Sequence, residues 1–251
     1  MFFSPDKSTD SISPEHRSFN AKGKYLAKAG IMKMVAILAS DTNSYDSLNE
    51  DWYSGMDNPK EFSIRENVVF FGSSDENNRL NLNAGSLEKR HLTRLGLEEK
   101  IAEGLMRYKE KKQVEGFEFM EELFLVDGMS QDVYSRLEDL VTIYRGGDFT
   151  VNINTAREDV LQAIVGDKDE VRKILEFRRG PDAKEHTPDD GVFTDTNQVS
   201  EFGDLDASLF TVKSNIFRIW ARTYFPGNKD IFKGAEAVVE RSGKILHWHE
   251  Y

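Results

Sequence analysis

The chain has no cysteine among its 251 residues. Disulfides, thiolate metal sites and cysteine nucleophiles are excluded, and either a reducing or an oxidising compartment would suit it. Long apolar runs are missing too. The greasiest stretch, Ile31 to Ala39, is interrupted by Lys33 and falls well short of the ~20 residues a membrane-spanning helix needs. The start, Met1-Phe2-Phe3-Ser4-Pro5, lacks a basic region followed by an apolar one, so no signal peptide is expected. On this reading the protein is cytosolic, or an N-terminal targeting segment is not in this sequence. Basic charge is in deficit, with 33 Lys and Arg against 44 Asp and Glu and a net charge of −11. Such a surface repels phosphate backbones and argues against nucleic acid as a partner. No nucleophile elbow, P-loop, dinucleotide fingerprint or zinc-protease helix occurs, so no catalytic residue is assigned and no enzyme is expected.

What the chain does contain is a core-forming composition, 39% hydrophobic with 17 Phe, and clear changes of period. Residues 1–20 are rich in Ser, Pro and charge and read as a loose arm. A helix follows over Lys22 to Ser40, with Tyr25, Ala29, Met32, Ala36 and Ala39 as its apolar stripe, widened by Leu26, Val35 and Leu38. After a polar loop, strands are expected at Phe62 to Phe71 and Arg79 to Asn83, separated by a turn at Gly72-Ser73-Ser74-Asp75. From about Ser86 the period is helical. One helix is marked by Leu97, Ile101, Leu105 and Tyr108, another by Met120, Leu123 and Phe124. A third starts near Ser130 and is marked by Val133, Leu137, Leu140 and Val141. Thr155 with Glu158 has the form of a capping box, and Asp167 suits the start of a further helix. Near the end, Ile216 to Phe225 alternates as a long strand, and Ala235 to Glu240 and Lys244 to His249 flank a tight turn at Ser242-Gly243. The order predicts an α+β fold in which the first helix packs on a sheet made from both chain ends. Residues 1–85 and 206–251 would form that discontinuous domain, and residues 86–205 a large inserted all-helical domain.

Three places carry candidate chemistry. His247 and His249 lie on the same side of a strand, a spacing that can hold a metal, but no third ligand is indicated. Two acidic loops, from Asp41 to Asp57 and from Asp182 to Asp195, offer oxygen ligands of the kind calcium takes, without EF-hand spacing. Asp41, Asp46, Asp189 and Asp190 are the candidate ligands among them. Residues 151–180 resemble a helix-hairpin-helix of the kind that grips DNA phosphate, opening with Val151-Asn152-Ile153-Asn154-Thr155-Ala156. The glycine-rich hairpin of such readers is absent, however. Gly166-Asp167-Lys168-Asp169 puts carboxylates where phosphate should sit, and basic and acidic residues balance over the segment. A structural module is the better reading, with a DNA-binding helix-hairpin-helix protein as the alternative. The paired Asn residues at 81, 83, 152 and 154 read as structural groups that bond to nearby backbone.

The order of motifs resembles the type II secretion protein K family, the large minor pseudopilin. The resemblance is carried by Ala36-Ile37-Leu38-Ala39-Ser40-Asp41 with Asp46-Ser47-Leu48-Asn49-Glu50-Asp51-Trp52, and by Asp75-Glu76-Asn77-Asn78-Arg79-Leu80-Asn81-Leu82-Asn83. It continues in Leu123 to Tyr144 running on into Val151 to Ala156, and in Phe210 to Ser214 leading into Ile216 to Tyr224. It implies a pseudopilin-like helix on a sheet, interrupted by a large helical domain, with a non-enzymatic role at the tip of the secretion pseudopilus. It also implies assembly with the smaller I- and J-type minor pseudopilins and with the major pseudopilin, in support of secreted cargo. The family is held in the inner membrane by an N-terminal helix and projects into the periplasm. That anchor and its processing site are not in this sequence, and the helix Lys22 to Ser40 would continue the missing segment. Calcium binding is known in the family, which strengthens the reading of the acidic loops.

Overall fold

In a computed structural model the described residues are 14–112, 116–145, 149–225 and 227–251. The expected arm over residues 1–13 and the reading of the extreme N-terminus lie outside them. From Pro14 onward the chain is helical rather than loose, because α1 (Pro14–Ser40) begins with a proline whose fixed φ suits a first helical position. A hairpin follows, β1 (Lys60–Ile64) and β2 (Asn67–Asp75). Here one expected strand becomes two. Ile64 pairs with Asn67, so the chain reverses at Arg65-Glu66, with Arg65 at φ 55°. The turn expected at Gly72 to Asp75 is instead paired β2 backbone, with Gly72 opposite Trp220 and Asp75 opposite Phe217.

The segment expected as a strand at Arg79 to Asn83 is reduced to β3 (Leu80–Asn81), outside the main sheet. Then come α2 (Lys89–Arg94), α3 (Glu99–Lys112) and a 3-10 turn at Met120–Leu125 where a full helix was expected. The helix α4 (Gln131–Leu137) is capped by Ser130, whose hydroxyl accepts from Val133 N–H at 3.3 Å. It stops before Val141, which belongs to β4 (Val141–Thr142), paired in parallel with β3. The strand β5 (Val151–Asn152) leads into α5 (Glu158–Val165). No capping box forms at Thr155: the N-cap position is Arg157, and the Thr155 hydroxyl is engaged elsewhere. The helix α6 (Lys168–Arg179) starts as expected at Asp167, which caps it, and later β6 (Phe210–Thr211) pairs in parallel with β5. The chain ends in β7 (Ile216–Phe225), β8 (Asn228–Glu240) and β9 (Ile245–Glu250). The β8–β9 turn contains Gly243 at φ 90°, a left-handed conformation that glycine adopts without strain.

The main sheet has the antiparallel order β1-β2-β7-β8-β9, so strands from both ends of the chain are neighbours. The helix α1 lies across β2, β7 and β8. Its buried side chains include Phe19, Leu26, Ala27, Ile31, Met34 and Leu38, while Tyr25 is 77% and Met32 45% exposed. The stripe expected from Tyr25, Ala29, Met32, Ala36 and Ala39 therefore faces away from the sheet. This helix is apolar on more than one side, and close approach decides which side is buried. A Cβ at Gly30 would lie 2.6 Å from the Ala221 Cβ, and one at Gly23 2.6 Å from the Lys233 Cβ, so the glycine-bearing face is the one that fits. One core cluster joins α1 to the sheet through Trp52, Phe71, Phe217, Ile219 and Ala237. A second, separate cluster runs through the largely helical part from Leu80 to Phe210. This part is not all-helical as expected, because Val141–Thr142 and Val151–Asn152 pair in parallel with Leu80–Asn81 and Phe210–Thr211.

The two Asn pairs are the joints of that second unit. Asn81 and Asn152 each accept from the amide two residues on, Asn83 and Asn154, at 3.0 Å. Asn83 then exchanges both bonds with the Phe117 backbone at 2.7 and 2.9 Å, and Asn154 does the same with Phe193 at 2.8 and 2.9 Å. The side-chain amide imitates a strand neighbour in both places, consistent with the structural reading of these residues.

Candidate functional site

The acidic residues expected as ligands fall into two groups. Asp41 and Asp46 follow the end of α1 and come together with Glu50, their ligand atoms all within 4.8 Å of one another. Among the described residues this is the one such group of three or more. Two cationic side chains from the far end of the chain enter it. The Lys213 ammonium lies 2.7 Å from Asp41, 3.1 Å from Asp46, 3.3 Å from the Asn43 side-chain oxygen and 3.2 Å from the Tyr45 carbonyl. Arg241 donates to Asp41 at 2.8 Å, to Asp46 at 2.6 Å and to the Leu38 carbonyl at 3.0 Å, with its guanidinium over the Phe217 ring. Burial pushes the Asp41 carboxyl up, but Lys213 and Arg241 outweigh it and hold it below the ordinary value. Asp46 is fully buried and also accepts from Ser214 N–H at 2.5 Å. Glu50 accepts from Ser47 N–H at 2.7 Å and from the Trp52 indole at 3.0 Å. The group clasps the end of α1, the β6–β7 connection and the β8–β9 turn. Its oxygens are engaged by a lysine and an arginine in the manner of a bound cation.

Asp189 and Asp190 form the second group, with Asp182. Their carboxylates surround the Thr187 hydroxyl at 2.7, 2.9 and 3.4 Å respectively. A hydroxyl has one proton to donate, so three acceptors are gathered on one donor. Asp189 also accepts from the Asp182 amide at 3.1 Å, and Asp190 from the His186 amide at 2.8 Å. This loop leans on the 48–53 segment: Asn49 donates to the Thr187 carbonyl at 3.0 Å, and the His186 ring stacks on Tyr53 with centroids 4.9 Å apart. Neither His247 nor His249 belongs to the group of three described above. They lie on β9, one ring beside Tyr144 and the other beside Tyr251. In the 151–180 segment, Asp167 accepts from the Asp169 and Glu170 amides at 2.8 and 3.1 Å, so its own carboxylate occupies the amides a phosphate would use.

Sequence reasoning missed two further fully buried charges, Asp75 and Glu76, at the junction of the two core clusters. One oxygen of Asp75 accepts from the Thr155 and Ser214 hydroxyls at 2.6 Å each and from the Asn152 amide at 3.0 Å. The other accepts from Asn77 N–H at 2.7 Å. Burial without a paired cation pushes Asp75 up to about 6, against the pull of those hydrogen bonds. Glu76 is buried as deeply but is paired with Arg79 and with Arg218 at 3.0 and 3.1 Å, and accepts from Thr142 at 2.8 Å. Burial alone would raise it, but the two guanidinium groups bring it below its ordinary value. No local signal marks these sites, because every partner but Asn77 and Arg79 lies more than sixty residues away.

The outward face of α1 is the remaining feature. It exposes Tyr25, Met32 and Ala36 beside Lys22, Lys28 and Lys33, and no acidic residue occurs between Ser18 and Ser40. This is a basic, partly apolar surface on a chain of net charge −11. No helix among the described residues is long and apolar enough to cross a membrane.

No protein-family model matches the chain, and no curated protein matches it in sequence. In structure it is similar to a chain of the crystal structure of the GspK-GspI-GspJ complex from the enterotoxigenic Escherichia coli type 2 secretion system. The two share 18% identity and superimpose with a TM-score of 0.64, over 94% of this chain and 95% of that one. The likeness is one of fold, and it extends over the helical part as well as the helix-on-sheet part.

Proposed function

We propose that the chain is a non-enzymatic minor pseudopilin that assembles with other minor pseudopilins at the tip of a type II secretion pseudopilus. The observation that carries the reading is the fold shared across 94% of this chain with a component of a GspK-GspI-GspJ assembly. The resemblance read in the sequence points the same way. Residues 1–85 and 206–251 would be the assembling domain, and residues 86–205 the bulky insertion. Such an insertion suits a tip, because it obstructs a further subunit stacked above it. The partners would be I- and J-type minor pseudopilins and the major pseudopilin, with secreted cargo exported by the machine. The protein would be anchored in the bacterial inner membrane by a helix preceding this sequence, with its folded part in the periplasm. The outward face of α1, bearing Tyr25 and Met32, is the surface suited to helix-to-helix contact.

Size-exclusion chromatography with light scattering tests the assembly reading on this chain mixed with soluble I- and J-type pseudopilins. A stable 1:1:1 species is expected, and the exposed-face change Met32→Glu should dissolve it without lowering thermal stability. Elution of the chain alone under all conditions would remove the reading.

Calcium is proposed for the acidic loops, with Asp41, Asp46, Asp189 and Asp190 as the candidate ligands; among the described residues Asp41, Asp46 and Glu50 are the one group of three whose ligand atoms lie within 4.8 Å of one another. Lys213 and Arg241 engage the Asp41 and Asp46 oxygens in this structure, while Asp182, Asp189 and Asp190 gather on the Thr187 hydroxyl. Calcium is expected to raise the melting temperature of the native chain, by an amount that grows with its concentration, and to leave Asp189→Asn unaffected.

A further inference from the structure

The sheet has a second face, opposite α1, and its composition is unusual. Alternation places Val69, Phe71, Ala221 and Ala235 toward the helix, so Phe70, Gly72, Trp220, Arg222, Tyr224 and Gly234 face the other way. Two strand glycines on that face are each covered by a ring. A Cβ at Gly72 would lie 2.2 Å from the Ser54 carbonyl oxygen and 2.8 Å from the Trp220 indole, and one at Gly234 2.4 Å from the Tyr251 ring. Glycine inside a strand marks such close approach. The two rings therefore lie low on the sheet, on either side of Arg222.

The Arg222 guanidinium sits over Trp220 at 5.1 Å and near Phe232 at 5.7 Å. Among the described residues no carboxylate pairs with it. Its Nε–H is buried without an acceptor, and Nη2 has the Met56 sulfur at 3.2 Å, a weak acceptor. Apart from that sulfur its polar neighbour is the Tyr251 phenol. Among the described residues three acids share the face: Glu236 is paired with Arg218 at 2.6 Å, Glu240 lies opposite Ile216 and is paired with Lys244 at 3.0 Å, and Glu61 lies across Phe70 in the register. Met56, Pro59, Phe70, Trp220 and Tyr224 wall a groove of about 290 Å³ into which this guanidinium is exposed. A guanidinium fixed between aromatic faces is weakly hydrated and offers a planar fork of donors that matches a carboxylate.

We propose that this groove is a docking site for an extended segment of a partner protein that carries a carboxylate beside an aromatic or aliphatic side chain. The aromatic walls would take the apolar side chain, and Arg222 would take the carboxylate. The charge fits one sign only, since a cation that pairs with no carboxylate among the described residues, in a largely aromatic setting, repels a basic peptide and is left short of acceptors by a neutral one. The site lies on the sheet face opposite α1, and its test needs no pseudopilin partner, so it stands or falls separately from the assembly reading.

The experiment uses fluorescence anisotropy on the intact chain with three labelled peptides. One alternates aspartate with phenylalanine, the second replaces every aspartate by asparagine, and the third by lysine. The acidic peptide is expected to bind at least about tenfold tighter than the asparagine version, a difference of about 1.4 kcal/mol. Arg222→Gln should abolish that preference. Met56→Glu, at a loop position 57% exposed, should block the acidic peptide while leaving the fold intact, because it supplies Arg222 with a carboxylate from its own chain. Equal binding of the acidic and asparagine peptides, or an unaffected Met56→Glu variant, would overturn the proposal. So would no binding of the acidic peptide, or a concentration-dependent dimer that Met56→Glu dissolves, which would make a second copy the occupant.

Discussion

At the scale of single residues, the junction carboxylates behave oppositely although both are buried. Loss of water raises both, but Glu76 has two guanidinium partners that bring it below its ordinary value, and Asp75 has none and stays raised. A consequence follows for pH. The folded-state value of Asp75 is raised from 3.8 to about 6. The folded state therefore favours the protonated group, and the stability this brings is fully present below the unfolded value. It is lost as pH rises through about 6. The expected outcome is that Asp75→Asn removes a decline in unfolding free energy between about pH 4 and 6, roughly 1–3 kcal/mol relative to the native chain. Urea denaturation of both proteins across that range measures it. A constant difference between the two at every pH would mean that Asp75 does not titrate in this window.

At the scale of elements, what was legible in the sequence was the period, and what was not was the direction. The alternation of Ile216 to Phe225 and the Ser242-Gly243 turn were readable because both are local. The helix over Lys22 to Ser40 was readable as a helix but not as to its buried face. Ala, Gly and Met surround it, and only contact with the sheet distinguishes Gly23 and Gly30 from Ala29 and Ala36. The β1–β2 turn was missed because Arg65-Glu66 carries no Gly, Pro or Asn to announce it. The buried face of α1 can be tested directly. Gly30→Ala should gain about 1 kcal/mol of helix propensity, yet its methyl would meet Ala221 at 2.6 Å and Val69 at 3.0 Å. Overpacking of that kind typically costs about 1–3 kcal/mol, so a net loss or at best no gain is expected. Ala36→Gly on the outward face should cost about the propensity alone, about 1 kcal/mol. Thermal melts of the two variants decide the matter, and a clear stabilisation by Gly30→Ala would contradict the packing described here.

At the scale of the whole molecule, two separate core clusters are bridged by buried polar groups. The acidic group of Asp41 and Asp46 binds residues 167 to 200 positions away, and Glu76 links Arg218 of the main sheet to Thr142 of the helical part. Pairings over such distances leave no trace in local pattern, so Asp41 and Asp46 were nameable from sequence while the ion pairs they form with Lys213 and Arg241 were not. Polar junctions of this kind are demanding, because a group stripped of its partner stays buried and unsatisfied. They also transmit order, since neither cluster can open without exposing the shared charges. The native chain is therefore expected to unfold in one calorimetric transition, with calorimetric and van't Hoff enthalpies equal. Thr142→Val keeps the volume and removes one donor to Glu76, and Glu76→Gln removes the charge that holds Arg79 and Arg218. The first should lower the melting temperature while preserving a single transition. The second leaves two buried guanidinium groups without a counter-charge, so it should split the transition into two, one for each cluster. A single, merely shifted transition in Glu76→Gln would mean that apolar contact couples the two cores and that the charges only adjust their stability.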